Sequence, residues 1–397
     1  MVKIMRIATV PVTLLVLLKK QLAFVSKYFE VVAVSAGGPM LDQVAEETGL
    51  KTVPVKMTRK VTPLADLKAL FSLTKLMLAE KPLIVHTHTP KAGLLGMMAA
   101  RMAGVPIRMH TVAGLPLLEK KGVLRFFLNL TEKVTCACAT RVYPNSARMQ
   151  DIIIENNFCS RDKLHIVGKG STTGVDTTYF DPELYNEQAI SALKAELKID
   201  KDDFVYCFIG RMVSDKGINE LVDAFLHINK LCPQTKLLLL GPFEKELDPL
   251  NLDIEKQIFD NPSIIWVDYK ADVRPYLSIS NVFVFPSYRE GFPNVLMQAG
   301  AMGIPCIASD INGCNEIIQD HVNGLIVPVK SRLALIKTMK LLFEDRRLLS
   351  KMAACSRSII KENYESSYVM TELLNEYYSQ LGIHESADLS LELQNKD

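Results

Sequence analysis

The segment FVYCFIGRMVSDKGINELVDAFLHINKL, residues 204–231, indicates the fold class because its hydrophobic period changes across one turn. The six apolar residues 204–209 are typical of a strand that is buried on both faces of a sheet. Gly210 permits a tight turn where that strand ends. The apolar spacing over 217–231 is helical, so the stretch predicts a strand followed by a helix, the repeating unit of a parallel sheet.

The same unit recurs on both sides of this stretch. Upstream, we predict strands at 4–10, 31–35, 52–55, 83–86, 107–111 and 142–144, and helices at 40–48, 64–80, 92–103 and 123–139. Downstream, we predict strands at 237–240, 264–267, 282–286, 306–309 and 325–327, and helices at 272–280 and 293–302. The pattern predicts an α/β protein with two Rossmann-like, doubly wound parallel-sheet domains facing across a cleft, with ligands beyond the carboxyl ends of the strands.

Glycines around residues 168–185 interrupt the alternation and mark the domain boundary in this 397-residue chain. We predict a first domain over 1–170, joined by a C-terminal helix at about 363–381. A linker over 171–200 and a second domain over 201–362 follow. The polar tail, 383–397, has no apolar period and is predicted to be disordered.

The composition, 48% hydrophobic and 23% charged, is that of a globular protein and excludes a fibrous or wholly disordered chain. The net charge of +2 by itself indicates no nucleic-acid partner. Residues 1–170, however, carry 24 Lys and Arg against 11 Asp and Glu, whereas the rest carries 22 against 33. Eight cysteines without a C-x-x-C motif indicate reduced thiols and a cytoplasmic protein.

The N-terminus shares two features with a signal peptide. These are the basic residues Lys3 and Arg6 and the apolar run 7–18 that follows them. Lys19 and Lys20 stand where a small-x-small cleavage site would follow, and the run is too short to span a bilayer. We favour a buried strand that breaks at Pro11 and leads into a helix, with a targeting signal as the alternative. No other segment reaches transmembrane length.

Two segments carry candidate chemistry. In GRMVSDKG, 210–217, Arg211 offers a planar five-donor fork and Lys216 a mobile point charge, which together could neutralise a diphosphate leaving group. In REGFPNVLMQ, 289–298, Pro293 suits the first helical position, so the N–H groups near 292–295 would face a ligand, with Glu290 before the helix and Gln298 inside it. The alternatives are a solvated turn for the first segment and a favourable helix dipole for Glu290.

Together these segments resemble the family-four retaining glycosyltransferases, which have the GT-B architecture, and the resemblance runs from the first strand to about residue 381. The family writes them as G-R-x4-K-G and as E-G-F-P followed by a second Glu eight residues after the first. Gln298 replaces that second Glu. The matching residues are Arg211, Lys216, Glu290, Gly291, Phe292 and Pro293.

The resemblance implies that Arg211 and Lys216 hold the donor diphosphate and stabilise charge as it leaves, and that Glu290 contacts the transferred sugar. Gln298 can accept a hydrogen bond from the ribose but lacks the charged contact, so its presence bears on donor affinity or identity. The implied donor-binding residues are Gly210, Gly291, Phe292, Pro293, Asn294, Val295 and Gln298.

In the basic half, the resemblance places His110 beside the donor sugar and the leaving phosphate, the alternative being a structural histidine. His86 and His88 are predicted to line the acceptor side. A metal pair there has no evident third ligand, so we expect neither metal nor cofactor. The other predicted acceptor-side residues are Lys91, Pro11 and Thr13.

Segments 14–29 and 117–130 combine apolar residues with Lys and Arg, a pattern that attracts anionic bilayers, although ordinary amphipathic helices share it. The run 86–105 and its flanks resemble enzymes that extend undecaprenyl-diphosphate-linked saccharides for bacterial surface polysaccharides, such as capsule and the O-antigen of lipopolysaccharide.

The resemblance implies a metal-independent retaining hexosyltransferase on the cytoplasmic face of the inner membrane. It would move a hexose or N-acetylhexosamine from a nucleoside-diphosphate sugar, with UDP favoured, to a lipid-diphosphate-linked saccharide. The alternatives are a nucleotide-sugar epimerase or phosphorylase of the same architecture, and a non-catalytic sugar-nucleotide-binding protein.

Overall fold

Two six-stranded parallel sheets, one in each half of the chain, form the framework of the protein. The computed structural model describes residues 1–115, 122–244, 246 and 248–383. The first unit comprises Met1–Thr173 and the chain from Ser367 onward, and the second unit comprises Gly174–Ser366. The prediction of two doubly wound parallel sheets is therefore confirmed.

The sheet of the first unit has the strand order β3-β2-β1-β4-β5-β6. The chain moves outward from β1 to β3 and then returns to the other side of β1, so the topological switch point lies between β1 and β4. The strands are β1 (Lys3–Ala8), β2 (Glu30–Ser35), β3 (Lys51–Pro54), β4 (Ile84–His88), β5 (Ile107–Val112) and β6 (Arg141–Pro144).

Helices cover both faces of this sheet, as a fully buried parallel sheet requires. One face carries helices α1 (Lys19–Val25), α2 (Pro39–Thr48) and α15 (Ser366–Gln380). The other face carries α3 (Pro63–Glu80), α4 (Pro90–Met102), α5 (Gly122–Cys138) and α6 (Ala147–Glu155).

The sheet of the second unit has the order β12-β11-β10-β7-β8-β9, which puts its switch point between β7 and β10. Its strands are β7 (Phe204–Ile209), β8 (Thr235–Leu240), β9 (Ile264–Val267), β10 (Val282–Phe285), β11 (Cys306–Ser309) and β12 (Gly324–Val327). One continuous apolar core packs around them. The helices are α7 (Glu187–Glu196), α8 (Ile218–Leu231), α9 (Leu252–Asp260), α10 (Arg274–Ser278), α11 (Asn294–Ala301), α12 (Cys314–Ile317), α13 (Arg332–Glu344) and α14 (Arg346–Tyr364).

Several element ends differ from the predicted ones at the edge that carries ligands in such folds. β1 stops at Ala8 because the Thr9 N–H turns toward the Thr89 hydroxyl, 3.2 Å away. β4 runs on to His88, which pairs with Ala8 on one side and Thr111 on the other. A π-helical turn, Thr13–Leu18, precedes α1.

Pro293 was predicted to be the first residue of its helix, and this prediction was wrong. It is the N-cap residue of α11. Its ψ of 110° is extended, and α11 begins at Asn294. The predicted linker, 171–200, contains helix α7 and belongs to the second unit from Gly174 onward. The predicted disordered tail lies outside the described residues, apart from Ile383.

Segment 14–29 buries about half of its apolar side chains, while Val16 and Leu17 are 68% and 48% exposed. The side chains of Leu14, Leu18, Leu22, Val25 and Phe29 are all at most 3% exposed, so this segment packs as an ordinary amphipathic helix. Within the described part of the chain, no helix combines the length and the apolar character needed to cross a bilayer.

Candidate functional site

Close backbone contacts join three loops at the carboxyl edge of the second sheet, after β7, β10 and β11. Gly217 has φ 72°, and a Cβ there would lie 2.2 Å from the carbonyl oxygen of Pro286. Gly313 has φ 76°, and a Cβ there would lie 2.4 Å from the carbonyl oxygen of Gly291. A side chain at either glycine would therefore push two loops apart, so glycine fixes their approach.

The turn after β7 is held from its other side by β8. The Gly210 N–H donates to the Leu240 carbonyl over 2.9 Å, and the Met212 N–H donates to the Pro242 carbonyl over 2.8 Å. A Cβ on Gly241 would lie only 1.9 Å from the Gly210 carbonyl oxygen. Gly210 thus ends the strand in a tightly packed turn, and Arg211 follows it at the edge of the sheet.

Lys216 and Glu290 come together at the switch point. The Lys216 Nζ lies 2.5 Å from the Glu290 Oε1, and the two side chains are 15% and 16% exposed. The lysine follows β7 and the glutamate follows β10, which are neighbouring strands, so the topology joins residues that are 74 positions apart. The pair is accessible enough for either partner to contact a bound molecule.

Arg211 does not pair with Glu290. Its NH1 donates to the Glu244 carboxylate over 2.6 Å, and its side chain is 43% exposed. The guanidinium therefore stands at the same edge as Lys216 but is held by a different carboxylate. An ion pair this exposed contributes only about 0–1 kcal/mol, so the arginine can exchange its partner for an anionic ligand.

Asp215 and Arg289 form a link between the two motif loops that the sequence reasoning missed. The Asp215 carboxylate accepts hydrogen bonds from Nε and NH2 of Arg289, over 2.9 and 2.6 Å. Its backbone carbonyl accepts one from the Tyr288 N–H over 2.8 Å. Asp215 lies inside the quoted segment 210–217, but its partner is 74 residues away, so spacing gave no signal of the pairing.

Tyr288 adds a second tie from the same loop. Its hydroxyl donates to the Glu220 carboxylate of α8, with both carboxylate oxygens 2.7 Å away. Burial, together with this hydrogen bond, raises the pKa of Tyr288, so the phenol stays protonated and keeps donating. The Glu290 loop is therefore anchored both to Asp215 in the Lys216 loop and to the helix that follows that loop.

The start of α11 is held by the loop after β11. The Asn312 side-chain amide donates to the Glu290 carbonyl over 3.1 Å and to the Gly291 carbonyl over 2.7 Å. The Phe292 ring packs against the Tyr364 ring with centroids 5.4 Å apart. These contacts fix the loop that leads into the helix.

No side chain caps α11, whose first residues are Asn294 and Val295. The first N–H groups of a helix lack intrahelical partners and favour anionic oxygens. Gln298 lies on the same helix and is half-buried. The predicted donor-binding residues thus surround one helix start beside the Lys216–Glu290 pair.

The carboxyl edge of the first sheet holds a different kind of cation. Arg6 is fully buried at the switch point, and no Asp or Glu in the described part of the chain pairs with it. Its Nε donates to His88 Nε2, its NH1 to the Tyr377 hydroxyl and its NH2 to Gln21 Oε1, each over 2.9 Å. Three neutral acceptors from three elements therefore hold this charge.

His86 and His88 belong to this buried network. His86 Nδ1 lies 2.7 Å from the Tyr377 hydroxyl and its Nε2 lies 2.8 Å from the Thr111 hydroxyl. Burial, and next the charge of Arg6, lower the pKa of both imidazoles well below the usual value, so both are neutral at physiological pH. Their predicted acceptor-side role stays a prediction, since both are at most 4% exposed.

His110 is buried beside β4. Its Nδ1 lies 2.8 Å from the Thr87 hydroxyl, and burial lowers its pKa to about 4. A Cβ on Gly93 would lie 2.4 Å from the imidazole Cε1, so α4 makes room for the ring with a glycine. His110 lies in the first unit, whereas Lys216 and Glu290 lie in the second.

The remaining predicted acceptor-side residues also lie at this edge. Lys91, at the start of α4, pairs with Asp66 of α3 over 2.7 Å. Pro11 and Thr13 follow β1, where the Thr13 N–H donates to the Val10 carbonyl over 3.2 Å. The structure thus assembles the predicted residues into two groups, one at the switch edge of each sheet.

Comparison with known families gives two matches that together span most of the chain. The family described as "Glycosyl transferases group 1" matches residues 190–359, within the second unit. The family described as "Glycosyl transferase 4-like domain" matches residues 21–170, within the first unit.

Two curated relatives match over most of their own length. The capsular polysaccharide biosynthesis glycosyltransferase CapM of Staphylococcus aureus is 33% identical over 367 residues, covering 91% of this chain and 93% of CapM. The UDP-Gal:alpha-D-GlcNAc-diphosphoundecaprenol alpha-1,3-galactosyltransferase of Escherichia coli is 27% identical, covering 81% of this chain and 82% of that enzyme.

Among solved structures, Anabaena Alr3699/HepE in complex with UDP superimposes with a TM-score of 0.78. It is 16% identical, and the match covers 96% of this chain and 100% of that one. At this identity the likeness concerns the fold alone, and with the two parallel sheets it confirms the predicted GT-B architecture.

Proposed function

The chain belongs to the group 1 glycosyltransferases, and on that basis we propose that it moves a hexose or N-acetylhexosamine from a nucleoside-diphosphate sugar to a lipid-diphosphate-linked saccharide. We favour UDP as the nucleotide and synthesis of a capsular or O-antigen polysaccharide as the process. The observation that carries this proposal is the Lys216–Glu290 pair at the switch point of the second sheet, beside the start of α11.

Each residue of that edge has a part in the proposal. Arg211 and Lys216 neutralise the donor diphosphate and stabilise the charge that develops as the sugar–oxygen bond breaks. Glu290 accepts hydrogen bonds from the transferred sugar, and the N–H groups at Asn294 and Val295 bind oxygens of the donor. Gln298 accepts a hydrogen bond from the ribose.

The proposed reaction retains the anomeric configuration and uses neither metal nor cofactor. The acceptor hydroxyl attacks from the face that the diphosphate leaves, and its proton passes to the departing phosphate oxygen. One carbon–oxygen bond breaks, one forms, and the products are the lengthened saccharide and the nucleoside diphosphate. His110, which burial keeps neutral, orients the donor sugar by hydrogen bonding.

The names of the relatives support the proposal that the acceptor is a lipid-diphosphate-linked saccharide. The Escherichia coli enzyme is named for transfer of galactose to a diphosphoundecaprenol-linked sugar, and the Staphylococcus aureus enzyme for capsular polysaccharide. The excess of Lys and Arg in residues 1–170 suits an acceptor that carries a diphosphate and lies in an anionic membrane. We therefore propose a peripheral enzyme on the cytoplasmic face of the inner membrane.

A thermal-shift screen of UDP- and GDP-sugars, followed by a transfer assay with a synthetic lipid-diphosphate saccharide, tests the proposal. We expect one nucleotide sugar to raise the melting temperature and to be consumed only when acceptor is present. Conversion of donor without acceptor would instead indicate an epimerase, and a need for inorganic phosphate would indicate a phosphorylase. Binding without any consumption would indicate a non-catalytic protein.

A further inference from the structure

Helices α3 and α5 expose large apolar side chains on the side that faces away from the sheet. They cover one face of the first sheet together with α4, which packs between them. We call this surface the α3–α5 face. Its exposed apolar residues are Leu64, Leu67, Phe71 and Leu78 on α3, and Val123, Leu124, Phe126, Phe127 and Leu130 on α5.

The exposure of these residues is large for their type. Phe71 is 58% exposed, Phe126 is 66% exposed and Phe127 is 57% exposed. The opposite side of α3 already supplies the core, where Leu73 and Met77 are at most 1% exposed. Both sides of this helix therefore carry apolar residues, and large exposed apolar side chains grouped in this way are typical of an interaction site.

The sequence segment that contains both helices is basic, and the charged side chains that the two helices expose are lysines. Residues 56–133 carry 13 Lys and Arg against four Asp and Glu. Lys68 and Lys75 are exposed on α3, and Lys133 is exposed on α5. These two helices, both wholly within the described chain, expose no acidic side chain, and Asp66 is paired with Lys91.

We propose that the α3–α5 face docks on the surface of an anionic lipid bilayer. Apolar side chains would enter the boundary between head groups and acyl chains while the lysines bind the anionic head groups. A second copy of the chain is disfavoured as the occupant, because a symmetric contact would bring two basic surfaces together. The inference deepens the proposed function, on whose lipid-linked acceptor it rests.

The position of this face suits that acceptor. Helices that follow the strands of a parallel sheet begin at its carboxyl edge, so Leu64, Val123 and Leu124 lie at the edge that also carries Lys91 and His88. A bilayer on the α3–α5 face therefore adjoins the edge to which we assign the acceptor. The sequence pattern indicates a basic and apolar segment at 117–130, which overlaps α5, but gives no such indication for α3.

Co-sedimentation of the full chain with vesicles, without donor or acceptor, tests the docking. The probes are vesicles of phosphatidylglycerol and phosphatidylethanolamine, and vesicles of phosphatidylcholine alone. We expect binding to the anionic vesicles, weakened by salt, and a loss of at least about tenfold in Phe126→Ser/Phe127→Ser. We expect a similar loss in Lys68→Gln/Lys75→Gln.

The matched control is Leu252→Ser/Leu333→Ser, which removes two leucines of the second unit that are 82% and 68% exposed. We expect this control to bind vesicles like the parent chain. Equal binding by the parent and the phenylalanine variant, or no binding to anionic vesicles, would overturn the proposal. A dimer that the phenylalanine variant dissociates, without vesicle binding, would assign the face to a second copy instead.

Transfer to a water-soluble diphosphate saccharide separates this inference from the proposed function. If vesicles bind but no transfer occurs with any donor, the proposed function fails and the docking surface stands. If transfer to the soluble acceptor proceeds while neither vesicle type is bound, the docking surface fails alone.

Discussion

The two sheets share a strand order around their switch points, but the cationic side chains there differ in burial and in the partners that they bind. Between β1 and β4, Arg6 is fully buried and its hydrogen bonds go to neutral groups. Between β7 and β10, Lys216 is 15% exposed and pairs with a carboxylate, and Arg211 is 43% exposed and pairs with another.

The difference separates a structural cation from one that is available for chemistry. A buried guanidinium that loses an acceptor leaves an unpaired charge in the core. Arg6 therefore cannot exchange its hydrogen-bond partners at low energetic cost. The Arg211–Glu244 pair, whose side chains are 43% and 33% exposed, contributes little to stability, so Arg211 can exchange its partner for a ligand at small cost. The switch point of one sheet thus holds a stabilising network, and the switch point of the other holds a candidate site.

Substitution of Arg211 tests the available cation and should give the largest effect. Arg211→Ala should lower kcat by about 10²–10³, because one preorganised group facing the leaving charge is lost. The free energy of unfolding should change by less than about 0.5 kcal/mol, as for other exposed sites. Steady-state kinetics and urea unfolding measure both quantities.

The control for that substitution is Arg347→Ala, which removes an exposed arginine from α14 of the same unit. Its turnover should match that of the parent chain. Near-normal turnover in Arg211→Ala would show that the half-exposed guanidinium has no part in transfer.

Removal of one oxygen tests the structural cation. Tyr377→Phe deletes the hydroxyl that accepts from Arg6 and bonds to His86, and should lower the free energy of unfolding by about 3 kcal/mol, since hydrogen bonds to charged groups contribute about 1.5–3 kcal/mol. Tyr206→Phe is the control, because its buried hydroxyl donates to the neutral Met339 carbonyl over 2.7 Å and should contribute about 1 kcal/mol. Equal losses would contradict the distinction between the two units.

The glycine contact beside Lys216 can be tested against a glycine with the same backbone angle. Gly217→Ala and Gly303→Ala both place a side chain at positive φ, 72° and 74°, which costs about 1–2 kcal/mol. Only the first also pushes a Cβ against Pro286, and a Cβ on Gly303 meets nothing within 4 Å. We expect Gly217→Ala to lose at least about 1 kcal/mol more, together with about tenfold in kcat, because the Lys216–Glu290 geometry shifts. Equal behaviour of the two variants in unfolding and transfer assays would rule out a role for the contact.

Acid should weaken the first unit through its neutral histidines. The pKa of His110 falls to about 4 on folding, so below about pH 6.5 the unfolded chain binds a proton that the folded chain refuses. Stability should therefore fall with pH between about 6.5 and 4, by up to about 1.4 kcal/mol per pH unit for this group. Urea unfolding across this range should show a smaller slope in His110→Asn, with His321→Asn, whose side chain is 67% exposed, as the control substitution. An identical slope in His110→Asn would contradict the assignment.

Gln298 should give the smallest effect. Gln298→Glu restores a carboxylate that can accept two ribose hydrogen bonds, so we expect about a threefold to tenfold change in donor affinity with kcat nearly constant. Calorimetric titration with the donor found in the thermal-shift screen measures this change. An unaltered donor affinity would show that Gln298 does not bind the ribose.

Much of the fold was predictable because each strand of the two sheets is a short apolar run with a helical pattern after it. The strand Phe204–Ile209 was predicted with its observed limits, since its apolar run ends sharply at Gly210. The ends of β1 and β4 were not, because the Thr9–Thr89 hydrogen bond and the pairing of His88 depend on a neighbour about 80 residues away. Helix α7 was not predicted, because the glycines before it indicated a linker.

The candidate site was predictable only where it follows a motif. The motif segments containing Lys216 and Glu290 could be found by their spacing, whereas the Asp215–Arg289 link could not, because spacing does not give side-chain direction. The burial of Arg6 gave no signal, since an arginine in a strand usually points to solvent. His86 and His88 looked accessible in the sequence because the helix that covers them, α15, lies almost 300 residues further along.

Helix α15 completes the first unit although the chain builds the whole second unit before it. During translation, β1 emerges with Arg6 long before Tyr377 is synthesised, so the guanidinium lacks one of its acceptors until α15 leaves the ribosome. Folding of a nascent chain usually proceeds domain by domain from the N-terminus. Because the second unit lies between the two parts of the first, we expect it to be able to fold first, and the first unit to complete its core only when α15 docks.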